Sequence, residues 1–432
     1  MKHFLKINNY MYLIIVCLFR IILDDIYINI VSPMYNYAGM TVNFSNERLI
    51  LSWVMTIIYS IFLMRIINLK KCGATIISVL LLCSAIPTST VYAYLPIDQK
   101  FVILNLIYWF LIVNLYLIFS SRKKRYSLIL GDFKVSQSKK LLYFAFAYFS
   151  ICVFYIALRY TGFHINFNLL NVYSTRSSFE EINLPVILQY SFSASIMVFP
   201  IILIYGLRSK NVFVSIIALF MQLLAFAADG RKSTLFVLII TLGGFYFIKD
   251  FSSKYFPIAM LLLVSIGYLE TFILKTTYFI NIFVRRLLLL PAYLQYAYYD
   301  FFKSNPKDLF SQSILRRLGF SSPYLQKIQN VIGDRYYLGS YANNGMFADA
   351  YSNLGNLGVI FLPLLIVFAL VLLDRMSDRL PMGMCIGIIF VSSYTLLSSS
   401  FFAVMLTHGF LFGCIIIYLV PRTKNELINK LN

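Results

Sequence analysis

Uninterrupted apolar stretches of about 20 residues recur along the whole of this 432-residue sequence. A helix of that length crosses the roughly 30 Å hydrocarbon core of a bilayer, where the backbone must satisfy its own hydrogen bonds. The sequence therefore predicts an all-α polytopic membrane protein with about twelve transmembrane helices. The predicted spans are residues 9–31, 48–67, 73–95, 101–120, 140–160, 184–206, 211–229, 233–249, 256–275, 355–373, 380–398 and 402–420.

Composition and charge agree with this fold class. Hydrophobic residues make up 60% of the chain and charged residues 12%, against roughly 45–50% and 25% in soluble proteins. With the N-terminus in the cytoplasm, 21 of the 37 Lys and Arg residues fall on the cytoplasmic side, many of them in the basic loop 121–139. The net charge of +20 therefore reflects topology, with both termini cytoplasmic, and requires no nucleic-acid partner.

One connection is much longer than the others. Residues 276–354 separate the ninth and tenth spans and are predicted to lie outside, within a single integral membrane domain formed by residues 1–432. Structureless connections beyond about 12–15 residues are uncommon, and this one is rich in Tyr, Phe, Leu and Arg. We therefore expect helices packed against the membrane surface. A smaller outer loop covers residues 161–183.

The cysteines and histidines show no spacing typical of a metal site or a disulfide framework. The cysteines fall in or at the ends of spans, so we interpret them as small apolar residues and expect no metal. Asp24 and Asp25 stand where a signal peptide would have its small-residue cleavage site. The first span is therefore expected to remain as a helix.

Ionisable residues inside spans are functional candidates because lipid disfavours them. Asp229, Glu270 and His408 fall in the outer half or at the outer end of their predicted helices. A transporter more typically holds such groups near the midplane, so this distribution favours a site that opens to the outer face. Arg20 lies in the middle of a span, and pairing with Asp24 one helical turn later explains it.

The turn Asp229-Gly230-Arg231 joins the seventh and eighth spans. Its structural interpretation is that Asp-Gly is favourable turn chemistry. Its functional interpretation is that Arg231 stands at a helix N-terminus, where backbone N–H groups already attract an anion. The residues by themselves leave both interpretations open.

The long outer segment carries arginines and tyrosines suited to a phosphate-linked sugar. The arginines form two pairs, Arg285-Arg286 and Arg316-Arg317. The planar guanidinium group matches phosphate geometry. Tyr298 and Tyr299 lie in an aromatic stretch that suits either the membrane interface or a surface for sugar rings.

A polar stripe precedes the tenth span. In a helix, Asp349, Asn353 and Asn356 fall at i, i+4 and i+7 on one face. A polar stripe that enters the bilayer must face protein or water, while Gly355 and Gly358 allow close helix contact. The alternative is an ordinary interfacial cap followed by a small-residue packing face.

Together these features resemble the O-antigen polymerase (Wzy) and oligosaccharide repeat-unit polymerase family. The resemblance rests on the span number, the large late outer loop, and the motif residues Gly230-Arg231, Arg286, Pro291, Tyr298-Tyr299, Asn344 through Asp349, and Gly355-Asn356-Leu357-Gly358. It implies a GT-C-like glycosyltransferase at the outer face of the bacterial inner membrane. Such an enzyme transfers a growing glycan from undecaprenyl pyrophosphate to a new lipid-linked repeat unit, without a cofactor. Its expected partners are membrane lipid and a chain-length regulator protein.

The resemblance also implies roles for the candidate residues. Arg231 and Arg286 are the first candidates to neutralise the leaving pyrophosphate, and Asp349 is the first candidate to accept the proton of the attacking hydroxyl. The further candidates are Arg285, Arg316 and Arg317 for phosphate, His408, Asp229 and Glu270 for the base, and Tyr298, Tyr299 and Asn353 for contacts with substrate.

Two other functions stay open at this point. A flippase or transporter for lipid-linked oligosaccharide also fits twelve spans, although the folded outer segment and the lack of a visible half-to-half repeat argue against it. A non-catalytic scaffold does not account for the arginine pairs. The related O-antigen ligases usually show a histidine where this chain has Asn343-Asn344, which argues against a ligase.

Overall fold

The computed structural model of the protein describes residues 9–121, 138–163, 172–247, 253–313, 319–336, 338 and 341–422. Within these ranges every regular element is a helix and none is a strand, so the predicted all-α class is confirmed. Most of the basic loop 121–139 lies outside the described residues. The same is true of Arg316 and Arg317, two of the predicted phosphate contacts.

The longer helices follow the predicted apolar stretches, with three more in the long outer segment and one in the smaller outer loop 161–183. They are α1 (Asn9–Ile26), α2 (Asn46–Ile66), α3 (Cys72–Tyr94), α4 (Gln99–Ser121), α5 (Lys139–Arg159), α6 (Val172–Glu180), α7 (Val186–Arg208), α8 (Val212–Asp229), α9 (Lys232–Phe247), α10 (Phe256–Leu274), α11 (Ile280–Leu289 continued by Leu290–Ser304), α12 (Ile328–Arg335), α13 (Met346–Leu354), α14 (Asn356–Met376), α15 (Ile386–Ser398) and α16 (Phe410–Leu419).

Among the described residues, eight helices are long and apolar enough to cross a membrane. They are α2, α3, α4, α5, α7, α8, α10 with the short turn before it, and α14. The other predicted spans fall on α1, which contains Arg20, Asp24 and Asp25, and on the shorter apolar helices α9, α15 and α16. This content of long apolar helices indicates a polytopic membrane protein.

Helix α3 lies at the centre of the bundle. Of its most apolar stretch, 94% is buried inside the protein. Pro87 lies in the interior of this helix, where proline removes one backbone hydrogen bond and crowds the preceding turn. The π-helical turn Leu81–Ala85 directly before it accommodates this disruption.

A buried arginine ties α1 to α2 and α3. Arg20 is fully buried, and its Nε donates to Asp24 Oδ1 at 2.6 Å, so the ion pair expected from the spacing is present. Its Nη1 donates to Thr56 Oγ1 at 2.8 Å and to Ser89 Oγ at 2.6 Å. Its Nη2 donates to Ser52 Oγ at 3.1 Å. Each guanidinium nitrogen therefore has a partner, which a charge in an apolar interior requires.

Helix α11, in the long outer segment, has one face in the protein core. Glu270 at the end of α10 accepts hydrogen bonds from the backbone N–H groups of Tyr278 and Phe279, at 3.1 and 2.8 Å, where the chain turns towards α11. Farther along, Gln295 Nε2 donates to Ser84 Oγ of α3 at 2.7 Å, and Asn105 of α4 donates to Gln295 Oε1 at 3.0 Å. The aromatic residues that indicated a surface helix are therefore largely packed inside the bundle.

We predict that Arg20→Met lowers the free energy of unfolding by about 3–5 kcal/mol, because it leaves the Asp24 carboxylate buried without its partner. Thermal or denaturant unfolding of the purified protein in detergent measures this loss. Arg65→Ala on α2, which removes an exposed contact with Asn114 Oδ1, is the matched control and should cost less than about 1 kcal/mol. Adding Asp24→Asn to Arg20→Met should recover part of the loss. Equal stability of both arginine variants would contradict the assignment.

Candidate functional site

The entry to α14 is a tight reversal built on two glycines. Helix α13 ends at Leu354, and Gly355 follows with φ +59° and ψ −134°, a backbone conformation that other residues rarely adopt. A Cβ on Gly358 would overlap the carbonyl oxygen of Ala350, so α13 and α14 are in close contact there. The predicted stripe is interrupted at this reversal: Asn353 lies on α13, whereas Asn356 begins α14 and is exposed.

Asp349 is buried in α13 and held from three directions. Its Oδ2 accepts a hydrogen bond from the backbone N–H of Phe401 at 2.8 Å. Its Oδ1 accepts from Asn353 Nδ2 at 3.0 Å and from Asn344 Nδ2 at 3.3 Å. Burial raises the pKa of Asp349 to about 7, although the bonds from Phe401 and Asn353 act in the opposite direction. The carboxyl group is therefore suited to exchange a proton near neutral pH.

The partner of Asp349 belongs to the helix break between the last two predicted spans, 380–398 and 402–420. Helix α15 ends at Ser398, and residues 399 and 400 are not helical, which frees the N–H of Phe401 for Asp349. His408 Nε2 lies 3.0 Å from Ser399 Oγ, on the same break. A second interruption at Gly409, with φ +79°, separates the turn Ala403–Thr407 from α16. The break at residues 399 and 400 falls between the predicted spans 380–398 and 402–420, whereas the interruption at Gly409 lies inside a span that was predicted to be continuous.

The Asp229-Gly230-Arg231 turn lies beside the same break. Gly230 adopts φ +63° and ends α8, and Asp229 Oδ1 accepts a hydrogen bond from the Arg231 backbone N–H at 2.9 Å. The Arg231 side chain is partly exposed, its Nε lies 3.5 Å from Asp229 Oδ2, and its positive charge reaches the His408 ring. Asp229 therefore organises the turn, and the charge of Arg231 acts on His408.

A cavity of about 560 Å³ opens beside Asp349, within the roughly 300–1,000 Å³ typical of ligand sites. Its described walls combine carboxylates, amides, hydroxyl groups and aromatic rings. Among the lining residues are Asp308, Asp349, Asn344, Asn353, Gln312, Gln329, Ser322, Ser352, Ser400, Tyr190, Tyr324, Tyr341, Phe320 and Phe402. Such a mixture can donate and accept hydrogen bonds and pack against the C–H faces of a sugar ring.

Asp308 is a second buried carboxylate of this cavity, and sequence reasoning missed it. It accepts hydrogen bonds from Ser311 Oγ at 2.7 Å, Ser322 Oγ at 2.6 Å and the Gln312 backbone N–H at 2.9 Å. Its charge acts on Asp349. In the sequence it is one acidic residue in an irregular stretch, and no helical spacing relates it to Asp349.

The remaining candidates lie elsewhere. Tyr298 and Tyr299 are buried, and their hydroxyls donate to Ala342 O and Asp98 Oδ1, each at 2.8 Å. They join α11 to its neighbours and do not line the cavity. Glu270 is engaged by the backbone where the chain turns towards α11. Arg285 and Arg286 lie on the first part of α11, and neither is among the cavity's described lining residues.

Comparison with protein-family models, with curated proteins and with solved structures finds no match to this chain. Within the described ranges, no three His, Cys, Asp or Glu side chains are grouped as a metal site requires. The site consists of a buried carboxyl at a polar cavity, a histidine that contacts the adjoining helix break, and an arginine in a neighbouring turn whose charge acts on that histidine.

The raised pKa of Asp349 predicts a pH-dependent stability. Between its ordinary value of 3.8 and about 7, the folded protein holds a proton on Asp349 that the unfolded chain has released. The free energy of unfolding therefore falls as the pH rises through this window and levels off above it. Relative to Asp349→Asn, the wild type should lose about 2–3 kcal/mol between pH 5 and pH 8.

Melting temperatures of the two proteins in detergent, measured at several pH values, test this. Asp300→Asn, which removes a carboxylate paired with Lys303 outside the cavity, is the reference variant. A difference between wild type and Asp349→Asn that does not change with pH would rule the assignment out.

Proposed function

We propose that this protein polymerises oligosaccharide repeat units linked to undecaprenyl pyrophosphate, forming O-antigen or a related surface polysaccharide at the outer face of the bacterial inner membrane. The observation that carries the proposal is the buried Asp349 carboxyl at the wall of a polar, aromatic cavity. This cavity belongs to a bundle of helices long enough to cross a membrane. The resemblance of the motif residues to the O-antigen polymerases supports the same function.

The proposed reaction needs one proton acceptor and one site for a developing negative charge. A hydroxyl of the acceptor sugar attacks the anomeric carbon of the donor glycan, and its proton passes to the Asp349 carboxylate. The bond between that carbon and the pyrophosphate oxygen breaks, and the oxygen leaves with the electron pair. A base with a pKa near 7 is well matched to neutral pH. Arg231 is the candidate cation for the leaving group, because its charge acts on His408, which contacts Ser399 at the helix break next to the partner of Asp349.

The packing of the bundle favours polymerisation over transport. A flippase needs a polar path from one membrane face to the other. In the described protein the central helix α3 is almost completely buried by other helices. The polar groups that would serve a substrate are instead concentrated around the Asp349 cavity.

Purified protein should lengthen lipid-linked repeat units without any nucleotide sugar, giving a ladder of products on a gel. Cells that lack the gene should carry a single repeat unit on their surface glycan, and the wild-type gene should restore long chains. Repeat units that accumulate in the cytoplasmic leaflet of the deletion strain would point to a flippase instead and contradict the proposal.

Asp349→Asn should lower kcat for polymerisation by about 10²–10⁴-fold, because the amide cannot accept the hydroxyl proton. Product formation per minute at saturating substrate measures this. Asp300→Asn lies on α11 outside the cavity and should retain wild-type activity. Full activity of Asp349→Asn at normal expression would remove Asp349 from the proposed mechanism.

A further inference from the structure

Two arginines on α11 form a positive surface that the Asp349 cavity does not include. The Arg285 guanidinium lies over the Tyr35 ring, 4.1 Å from its centroid, and the Tyr35 hydroxyl donates to Asn281 Oδ1 at 2.9 Å. The Nε of Arg285 is buried and has no hydrogen-bond partner in the described protein. Arg286, the next residue, is exposed. Arg285 is thus held in place with donor capacity unused.

No described carboxylate compensates this charge. The groups whose charges act on Arg285 are Tyr35, Tyr37 and the like-charged Arg286. Two adjacent guanidinium groups without an acidic neighbour suit an anion with several oxygens, such as a phosphate or pyrophosphate.

The surface around the arginines is apolar. Tyr278 is 74% exposed and Ile282 53% exposed, both at the start of the same helical segment. Phe272, near the end of α10, is 79% exposed. An apolar surface beside two cations matches a lipid whose head carries phosphate.

The position of this surface along α11 separates it from the reaction site. Helix α11 meets α13 at Tyr299, whose ring centroid lies 4.9 Å from that of Tyr351, two residues from Asp349. Arg286 lies thirteen residues before Tyr299, which corresponds to about 20 Å along a helix. The base takes the proton of the hydroxyl that attacks the anomeric carbon, and the leaving group departs from that same carbon, with each pair of reacting atoms about 3 Å apart. A phosphate held by Arg286 is therefore too far from Asp349 to be the leaving group.

We propose that Arg285 and Arg286 bind the pyrophosphate of the acceptor, the lipid-linked repeat unit whose distal sugar is extended in the cavity. This proposal rests on the proposed polymerase function. In the acceptor, the attacking hydroxyl and the pyrophosphate lie at opposite ends of the repeat unit and are separated by its sugar rings. One molecule thus reaches both places, whereas the donor pyrophosphate belongs beside Asp349. This differs from the sequence-based hypothesis that Arg286 acts on the leaving group.

A kinetic assay separates the two roles of Arg286. The donor is a labelled lipid-linked glycan whose terminal acceptor hydroxyl is methylated, and the acceptor is a single lipid-linked repeat unit. Arg286→Gln should raise KM for the acceptor at least about tenfold, while kcat and KM for the donor stay within about twofold. A fall in kcat at saturating acceptor, or a raised KM for the donor, would overturn the proposal.

The pyrophosphate itself is tested by removing it. With the repeat unit supplied as its methyl glycoside, wild type and Arg286→Gln should have the same KM, because the contact no longer exists. A penalty that persists with this acceptor would contradict the assignment. Lys303→Gln, another exposed basic residue of α11, is the matched control and should behave as wild type.

Ordinary phospholipid is the competing occupant of the same surface. In nanodiscs that contain only phosphatidylcholine, the KM effect of Arg286→Gln should remain. If the effect appears only with phosphatidylglycerol, the surface binds phospholipid and the proposal is wrong.

Direct binding distinguishes failure of this proposal from failure of the proposed function. Native mass spectrometry of the protein with the lipid-linked repeat unit requires no turnover. Weaker binding to Arg286→Gln than to Lys303→Gln supports the site, and equal binding contradicts it. Absence of any polymer from the wild type, with every acceptor, contradicts the function instead.

Discussion

The structure depends on the requirement that every backbone N–H and C=O group in an apolar environment finds a partner within the chain. Helices meet that requirement along most of the sequence, and each interruption has to be repaired. The interruption after Ser398 leaves the N–H of Phe401 without a partner in the helix, and this N–H donates a hydrogen bond to the carboxylate of Asp349 at 2.8 Å. That bond joins α13 to the segment that follows the break after α15, and Asp349 lies at the edge of a cavity. The candidate site is therefore the place where a broken helix is completed by a side chain.

The same requirement governs the polar side chains inside the bundle. Arg20 is stable in the interior because its guanidinium group donates hydrogen bonds to Asp24, Thr56, Ser89 and Ser52. Gln295 links α11 to α3 and α4 by the same logic. Some buried polar atoms keep unused hydrogen-bond capacity, and the Nε of Arg285 is one of those without a partner among the described residues. Satisfied polar groups hold the fold, whereas the Arg285 guanidinium and the Asp349 cavity are the places proposed to bind substrate.

Much of the fold follows from local patterns. The apolar stretches predict the helices because helix formation and membrane burial depend on residues near one another in the chain. The spacing of Arg20 and Asp24 predicts their ion pair, and that of Asp349 and Asn353 predicts their shared face. Asp308 was missed because its closeness to Asp349 comes from an irregular stretch folding back, with its backbone N–H bonded to Ser352 O. The interruption at Gly409 was missed because it lies inside the apolar stretch 402–420.

By itself the sequence determined the helical class, the polytopic character and a short set of candidate residues, because hydropathy and periodicity are local properties. The tertiary structure decided which candidates meet. It placed His408 against the helix break next to the partner of Asp349, within the range of the Arg231 charge. It also placed Arg286 about 20 Å along α11 from Tyr299, where α11 contacts α13. Contacts such as that between Gln295 and Ser84 join residues far apart in the chain. These contacts form because a whole helix face is buried against other helices. The spacing of residues along the sequence does not show which helices will pack together.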